Sequence, residues 1–579
     1  MEAKSEVRDG MRIDWDVPIE MDDGLVLRAD VFRPLQDGRY AVILSLGPYA
    51  KGLEFKQGYP SNWQRLVEAA PEVVEGSTNK YQNWELVDPE RWVPAGYVCV
   101  RVDSRGAGRS PGFMNLWSKR ETQDLYDCIE WAGVQPWSNG KVGLNGISYY
   151  AMNQWHVAPM RPPHLAALCV WEGNADFYRE QARHGGILSD MVAGWYTRQV
   201  LNVQHGVGDR GKRSVVTGET VAGPETLSPA ELEQNRDDLA GQLAKRELFD
   251  EFYAQRKGAV EKIDVPLLSA GNWGGQGIHP RGNFEGYLGA GTKQKWLEMH
   301  GHTHFTHFYS AYGEGLQRRF FDHFLKGEDS GWDKQPPVSL NIRRPGEHFT
   351  LRAENEWPLA RTQWTKYYLT PGAMTLDTTA PGTETSITYE ALGDGVRFYM
   401  PPMQEELEIT GPLAAKLWIS SETIDADIFL VLGVYDPSGK EVTFIGSNDP
   451  RTPVGLGWLR ASHRKLDPEL STPYRPYHTH DEKQPLTPGE VYELDVEIWP
   501  TCIVVPPGYR VALTVRGKDY EVDGTDGAPP NAAYPMKGVG PMTHTLDRPA
   551  EIFGKNYTLH FAPGRQPYVL LPIIPPSDV

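Results

Sequence analysis

The sequence predicts a chain that is α/β in its first part and all-β in its second. Continuous apolar runs at 41–46, 97–103 and 165–170 alternate with stretches of helical spacing, the pattern of a mostly parallel sheet with helices on both faces. One such run ends in Gly146-Ile147-Ser148 and passes directly into a helix-compatible segment, 149–155. After Asp333-Lys334-Gln335-Pro336-Pro337 the composition shifts to short β-prone runs between turn signals, which predicts a jelly-roll-like sandwich. At 579 residues the chain exceeds one ordinary domain, and 40% hydrophobic residues with 18 tryptophans suffice for sizeable cores.

Taken in order, residues 11–34 alternate with a period of two around Met21-Asp22-Asp23-Gly24, which predicts an antiparallel hairpin. The first buried strand, 41–46, stops at Gly47-Pro48-Tyr49, and the second, 97–103, leads into Ser104-Arg105-Gly106-Ala107-Gly108-Arg109-Ser110. That loop lacks the Lys-Ser/Thr ending of a phosphate-binding loop. Residues 121–131 place Leu125, Cys128, Ile129 and Ala132 on one helical face. The strand at 165–170 closes on Trp171-Glu172-Gly173. From 176 to 262 no strand run is visible, and polar helices are expected at 229–242 and 248–256. The sheet resumes at 265–271 and 295–300, and a helix follows at 315–325. The expected division is a core in two pieces, 1–175 and 263–334, a helical cap insertion at 176–262, and a β-sandwich at 335–579. Its strands are expected at 338–342, 413–420, 428–434, 491–499 and 510–515.

A formal charge of −18 argues against a nucleic-acid backbone as partner. No run approaches the roughly 20 apolar residues that span a bilayer, and the first 23 residues lack a basic segment followed by an apolar one. No membrane partner and a cytoplasmic location are expected. Cys99, Cys128, Cys169 and Cys502 lie far apart in mostly apolar settings, as buried free thiols do.

The segment around Ser148 has the strand–turn–helix context of a nucleophile elbow, although Tyr150 stands where a second glycine is usual. The competing reading is a loop glycine followed by an N-cap serine. An activated serine needs a base, a group that orients the base, and donors for an oxyanion. His300-Gly301-His302-Thr303-His304 follows the last apolar run, where the base is expected. Alternating histidines could also bind a metal, but no second cluster follows, and a structural role suits at least two of them.

The whole arrangement resembles the cocaine esterase, α-amino-acid ester hydrolase and X-Pro dipeptidyl-peptidase family over residues 11–560. The resemblance rests on Gly47-Pro48-Tyr49-Ala50-Lys51, the 103–110 loop, Trp137-Ser138-Asn139-Gly140-Lys141-Val142-Gly143 and Gly146-Ile147-Ser148-Tyr149. It implies an α/β-hydrolase core, a helical cap and a jelly-roll-like domain. It also implies acyl transfer with Ser148 as nucleophile and His304 as base, and an oxyanion held by the Tyr49 hydroxyl and the Tyr149 N–H. The substrate would be a small ester, or an amide or X-Pro peptide as the alternative. No cofactor or metal is required, and a homo-oligomer is compatible with the sequence.

The chain departs from the family at one point, because Gly274 stands where the aspartate that orients the histidine belongs. Glu172, at the end of the strand after the serine's helix, is the expected replacement. Glu285 is a further candidate, and Asp176 is expected to pair with Arg179. A catalytically weak ligand-binding protein remains the rival class, with Trp418, Trp458, Tyr474 and Tyr477 as a sugar platform.

Overall fold

The computed structural model describes residues 4–447, 449–521 and 546–576. An eleven-stranded sheet organises the first part. Its centre is six parallel strands in the spatial order Tyr97–Asp103, Tyr40–Gly47, Ser138–Ile147, Leu165–Trp171, Leu267–Asn272 and Lys295–His300. The strand Tyr97–Asp103 is buried along its whole length, as its unbroken apolar run requires. Each Val, Ile or Leu removed from water there contributes about 1.5–3 kcal/mol. The expected hairpin is present as Met11–Glu20 against Val26–Arg33.

Helices cover both faces. Lys119–Gly133 begins on Ser118, whose hydroxyl accepts from the Glu121 N–H, and Ala311–Lys326 ends on Gly327 in the left-handed region. The two cores on either side of the sheet are separate.

Two expectations need correction. The run at 338–342, assigned to the second domain, is the strand Val338–Arg344, which pairs in parallel with Lys295–His300 and forms a hairpin with His348–Glu354. It is β-prone and apolar like its neighbours, so composition alone could not say which sheet it joins. The cap is not purely helical. Its helices are short, at Met191–Trp195, Pro229–Gln234, Leu239–Lys245 and Glu251–Ala254, and Arg183–His184 pairs with Ile187–Leu188. The Gly185 turn of that ribbon accepts from the Arg460 N–H, which fastens the cap to the β-domain.

In the β-domain a second eleven-stranded sheet curls until Leu407–Ser421 pairs with Tyr568–Ile574, giving a closed, barrel-like sandwich. The four cysteines are buried and unpaired. Among the described residues no helix is long and apolar enough to cross a membrane.

Candidate active site

Five neighbouring parallel strands each release one residue into the same space at their carboxyl ends, the usual position of a site in such a sheet. Tyr49 follows Tyr40–Gly47, Ser148 follows Ser138–Ile147 and Glu172 follows Leu165–Trp171. His279 comes from the loop after Leu267–Asn272, and His304 from the loop after Lys295–His300.

Ser148 has φ 58° and ψ −109° and stands immediately before the helix Tyr149–Val157. A non-glycine residue in that region costs on the order of 1–3 kcal/mol, so the elbow is held by its surroundings. The Ser148 N–H donates to the Trp171 and Glu172 carbonyls, and the Ile147 N–H donates to the Glu85 carbonyl. Tyr150 is tolerated in place of a second glycine because its ring lies over Gly47, where an added Cβ would sit 2.4 Å from it. The glycine of the usual motif has in effect moved to the neighbouring strand.

Ser148 Oγ lies 2.9 Å from His279 Nε2. This histidine was not among the sequence candidates. It precedes Pro280 at the start of the helix Pro280–Gly289, and its position after the penultimate strand was its only signal. Burial, together with the nearby His304 charge, pushes its pKa down to about 3, so it is a neutral imidazole. Asn174 Nδ2 is 3.5 Å from its Nδ1, too far to impose a tautomer. With the proton on Nδ1, Nε2 can accept from Ser148.

His304 is placed differently from expectation. Its Nε2 lies 2.8 Å from Glu85 Oε1 and its Nδ1 3.2 Å from Glu172 Oε1, so both ring nitrogens are directed at carboxylates and not at the serine. Burial would lower its pKa, but Glu172 and then Glu85 outweigh it and raise it to about 10. The His304 ring lies parallel to that of His279, with centroids 5.7 Å apart and planes at 19°.

Glu172 does meet His304. It also receives His300 Nε2 at 2.9 Å and the Ser447 hydroxyl at 2.9 Å. Burial would raise its pKa, yet His304 and His300 together hold it down at about 2. Ser447 belongs to the β-domain, so the second domain supplies part of the site.

Tyr49 is buried and accepts a hydrogen bond from Trp195 Nε1 of the cap at 3.0 Å, which leaves its own proton to donate. Burial, and then Glu85, raises its pKa well above 10, so it remains a phenol. The Tyr149 N–H lies at the first turn of its helix, where no intrahelical acceptor exists. Its side chain is committed elsewhere, donating to Glu121 at 2.6 Å.

Glu285 and Asp176 are engaged elsewhere, and His300 reaches the cluster through Glu172. Glu285 pairs with Arg475 at 2.6 Å, and Asp176 pairs with Arg179 at 2.8 Å as expected. His300 bridges Glu298 and Glu172, while His302 faces Thr306. Among the described residues no three His, Cys, Asp or Glu side chains are arranged to hold a metal ion. Trp458 and Tyr477 are buried, Tyr477 beneath Arg179, and Tyr474 stacks on Trp364 at 4.2 Å. Trp458 and Tyr477 are thus packing, while Tyr474 and Trp418, the latter on the strand Leu407–Ser421, are half-buried.

A serine on a strained strand-to-helix elbow, facing a neutral imidazole in a pocket shared with Tyr49 and Tyr149 on an α/β-hydrolase sheet, belongs to the serine hydrolase class. Residues 23–306 match the X-Pro dipeptidyl-peptidase (S15 family) model, and residues 330–566 match the X-Pro dipeptidyl-peptidase C-terminal non-catalytic domain. A CocE/NonD family hydrolase from Staphylococcus aureus superimposes with a TM-score of 0.84 at 30% identity, covering 99% of this chain and 96% of that one. The cocaine esterase of Rhodococcus sp. is 23% identical over 87% of this chain and 90% of its own length. An α-amino acid ester hydrolase shares the fold, with a TM-score of 0.68 at 16% identity over 98% of each chain. The chain belongs to the CocE/NonD family of hydrolases.

Proposed function

We propose that this hydrolase cleaves carboxylic esters through an acyl-enzyme on Ser148, with His279 as the immediate base. The 2.9 Å contact between Ser148 Oγ and His279 Nε2 carries the reading. His279 takes the serine proton as Oγ attacks the carbonyl carbon, then returns it to the leaving group. The Tyr49 hydroxyl and the Tyr149 N–H receive the carbonyl oxygen as it becomes an oxyanion. Glu172 acts by positioning, since it fixes His304 against the face of His279. Water repeats the cycle on the acyl-enzyme and regenerates Ser148.

Esters are favoured over amides by the relatives named esterases, and small peptides are the second substrate class. Four buried, unpaired cysteines support a reducing, cytoplasmic setting. A second reading, with His304 as the base, is supported by its place in the same pocket and by Glu172 at its Nδ1.

The test is intact-mass labelling with a fluorophosphonate. One adduct on the wild type and none on Ser148→Ala is expected. A folded wild type that takes no adduct would remove the serine mechanism.

A further inference from the structure

We propose that the substrate carries an anionic group, a carboxylate or phosphate, which is received by a basic groove outside the Ser148 pocket. The proposal rests on the ester-hydrolase reading and specifies its substrate.

A second groove adjoins the pocket at Ser148, and Asn62 and Gln199 line both. The outer groove is bordered by Arg198, Arg210 and Lys212, and no aspartate or glutamate is among its lining residues. In a chain with 76 acidic and 58 basic residues, a groove bordered by Arg210 and Lys212 and lined by no acid is a local reversal of charge. The nearest acid in sequence, Asp209, is engaged by Arg213 at 2.6 Å.

Two of the three, Lys212 and Arg210, are held in place by backbone carbonyls. Lys212 Nζ donates to the Gln57 carbonyl at 2.7 Å, and Arg210 donates to the Leu227 carbonyl. Bonds to neutral carbonyls restrain a cation without neutralising it. Asn62 at the junction is buried, and its side-chain oxygen has no hydrogen-bond partner, so only an N–H or O–H of a substrate could satisfy it and an anion gains nothing from that atom. A groove lined by one sign of charge concentrates the opposite charge and speeds its encounter, an effect that salt weakens.

The test compares kcat/KM for 4-nitrophenyl acetate, 4-nitrophenyl hemiglutarate, phenyl acetate, 4-acetoxybenzoate and 4-acetoxyphenyl phosphate. Each rate is divided by that ester's rate with hydroxide. At low ionic strength at least one anionic ester is expected to exceed its neutral counterpart by about tenfold or more. Hemiglutarate would place the anion on the acyl side. The two acetoxy esters would place it on the leaving side and separate carboxylate from phosphate.

The preference should shrink as salt is raised to about 0.5 M, where the screening length falls to a few ångströms. It should also shrink in the triple variant Arg198→Gln, Arg210→Gln, Lys212→Gln. The salt titration needs only the wild type, so it stands even if the variant fails to fold. Turnover of the neutral esters with no salt-sensitive anion preference would overturn the groove alone. Turnover of none of the esters would overturn the ester reading and the groove together.

Discussion

Gly274 and Gly446 face each other across the boundary between the hydrolase core and the β-domain. A Cβ on Gly274 would lie 2.6 Å from Gly446 Cα, and a Cβ on Gly446 would lie 2.5 Å from the Gly274 carbonyl oxygen. The Ser447 N–H donates to that same carbonyl at 3.1 Å. The place where the family resemblance puts an aspartate is thus occupied by a β-domain loop, which delivers the Ser447 hydroxyl to Glu172.

Restoring the aspartate should therefore fail to restore a familiar triad. Gly274→Asp would push the loop outward and take Ser447 from Glu172, with overpacking of about 1–3 kcal/mol. A lower Tm and at least a tenfold loss in kcat/KM are expected from thermal unfolding and an ester assay. A variant as stable as wild type and faster would show that the position still accepts the acid.

Glu172→Gln should reduce kcat by about 10²-fold or more, because three donors converge on a carboxylate that the amide cannot replace. Ser447→Ala removes only one neutral donor and should cost less than tenfold. The opposite ranking would shift the positioning role away from Glu172.

The two histidines are separable by pH. A base held at about 3 is already neutral across the physiological range, so kcat/KM with His279 as base should fall on the acid side only as pH approaches about 3. A base held near 10 would instead make activity climb into alkaline pH. His279→Ala is expected to cost about 10²–10⁴-fold. Retention of full rate in His279→Ala, with a limb near pH 10, would assign the base to His304.

Tyr49→Phe keeps the ring packing against Trp195 and Tyr149 but removes the hydroxyl. A fall in kcat of about 10²–10³ with KM little changed is expected, as for the loss of one oxyanion donor. Unchanged kcat would leave the oxyanion to the Tyr149 N–H.

Stability should fall on the alkaline side. His304 and His300 are raised from 6.5 to about 10 and about 9 in the folded chain. Their contribution is full below about pH 6.5 and is lost as pH rises through about 9 and 10. Tm measured from pH 6 to 10.5 should decline, and more shallowly in His304→Ala than in wild type. Equal slopes would mean that His304 is not held as a cation between Glu172 and Glu85.

Much of this was legible in one dimension. Unbroken apolar runs can be buried only in a covered parallel sheet, and the glycine and serine at 146–148 require a sharp turn at a strand end. Ser148, Glu172 and Tyr49 were therefore placed by local chemistry and the order of the strands. Chain order also suggested that Glu172 and the last loop's histidine would meet, and they do.

His279, Glu85 and Ser447 were not legible, because each stands in a loop with no motif of its own and reaches the site only through the fold. Ser447 arrives from another domain, through a contact that only two facing glycines allow. Which histidine touches the serine depends on where two carboxylates come to rest around the other. The sequence by itself determined the sheet, the elbow and the serine placed on it, because periodicity and turn chemistry are local. The partner of that serine was decided only by the tertiary structure, because competing hydrogen bonds among buried charges are settled by distances that no spacing along the chain encodes.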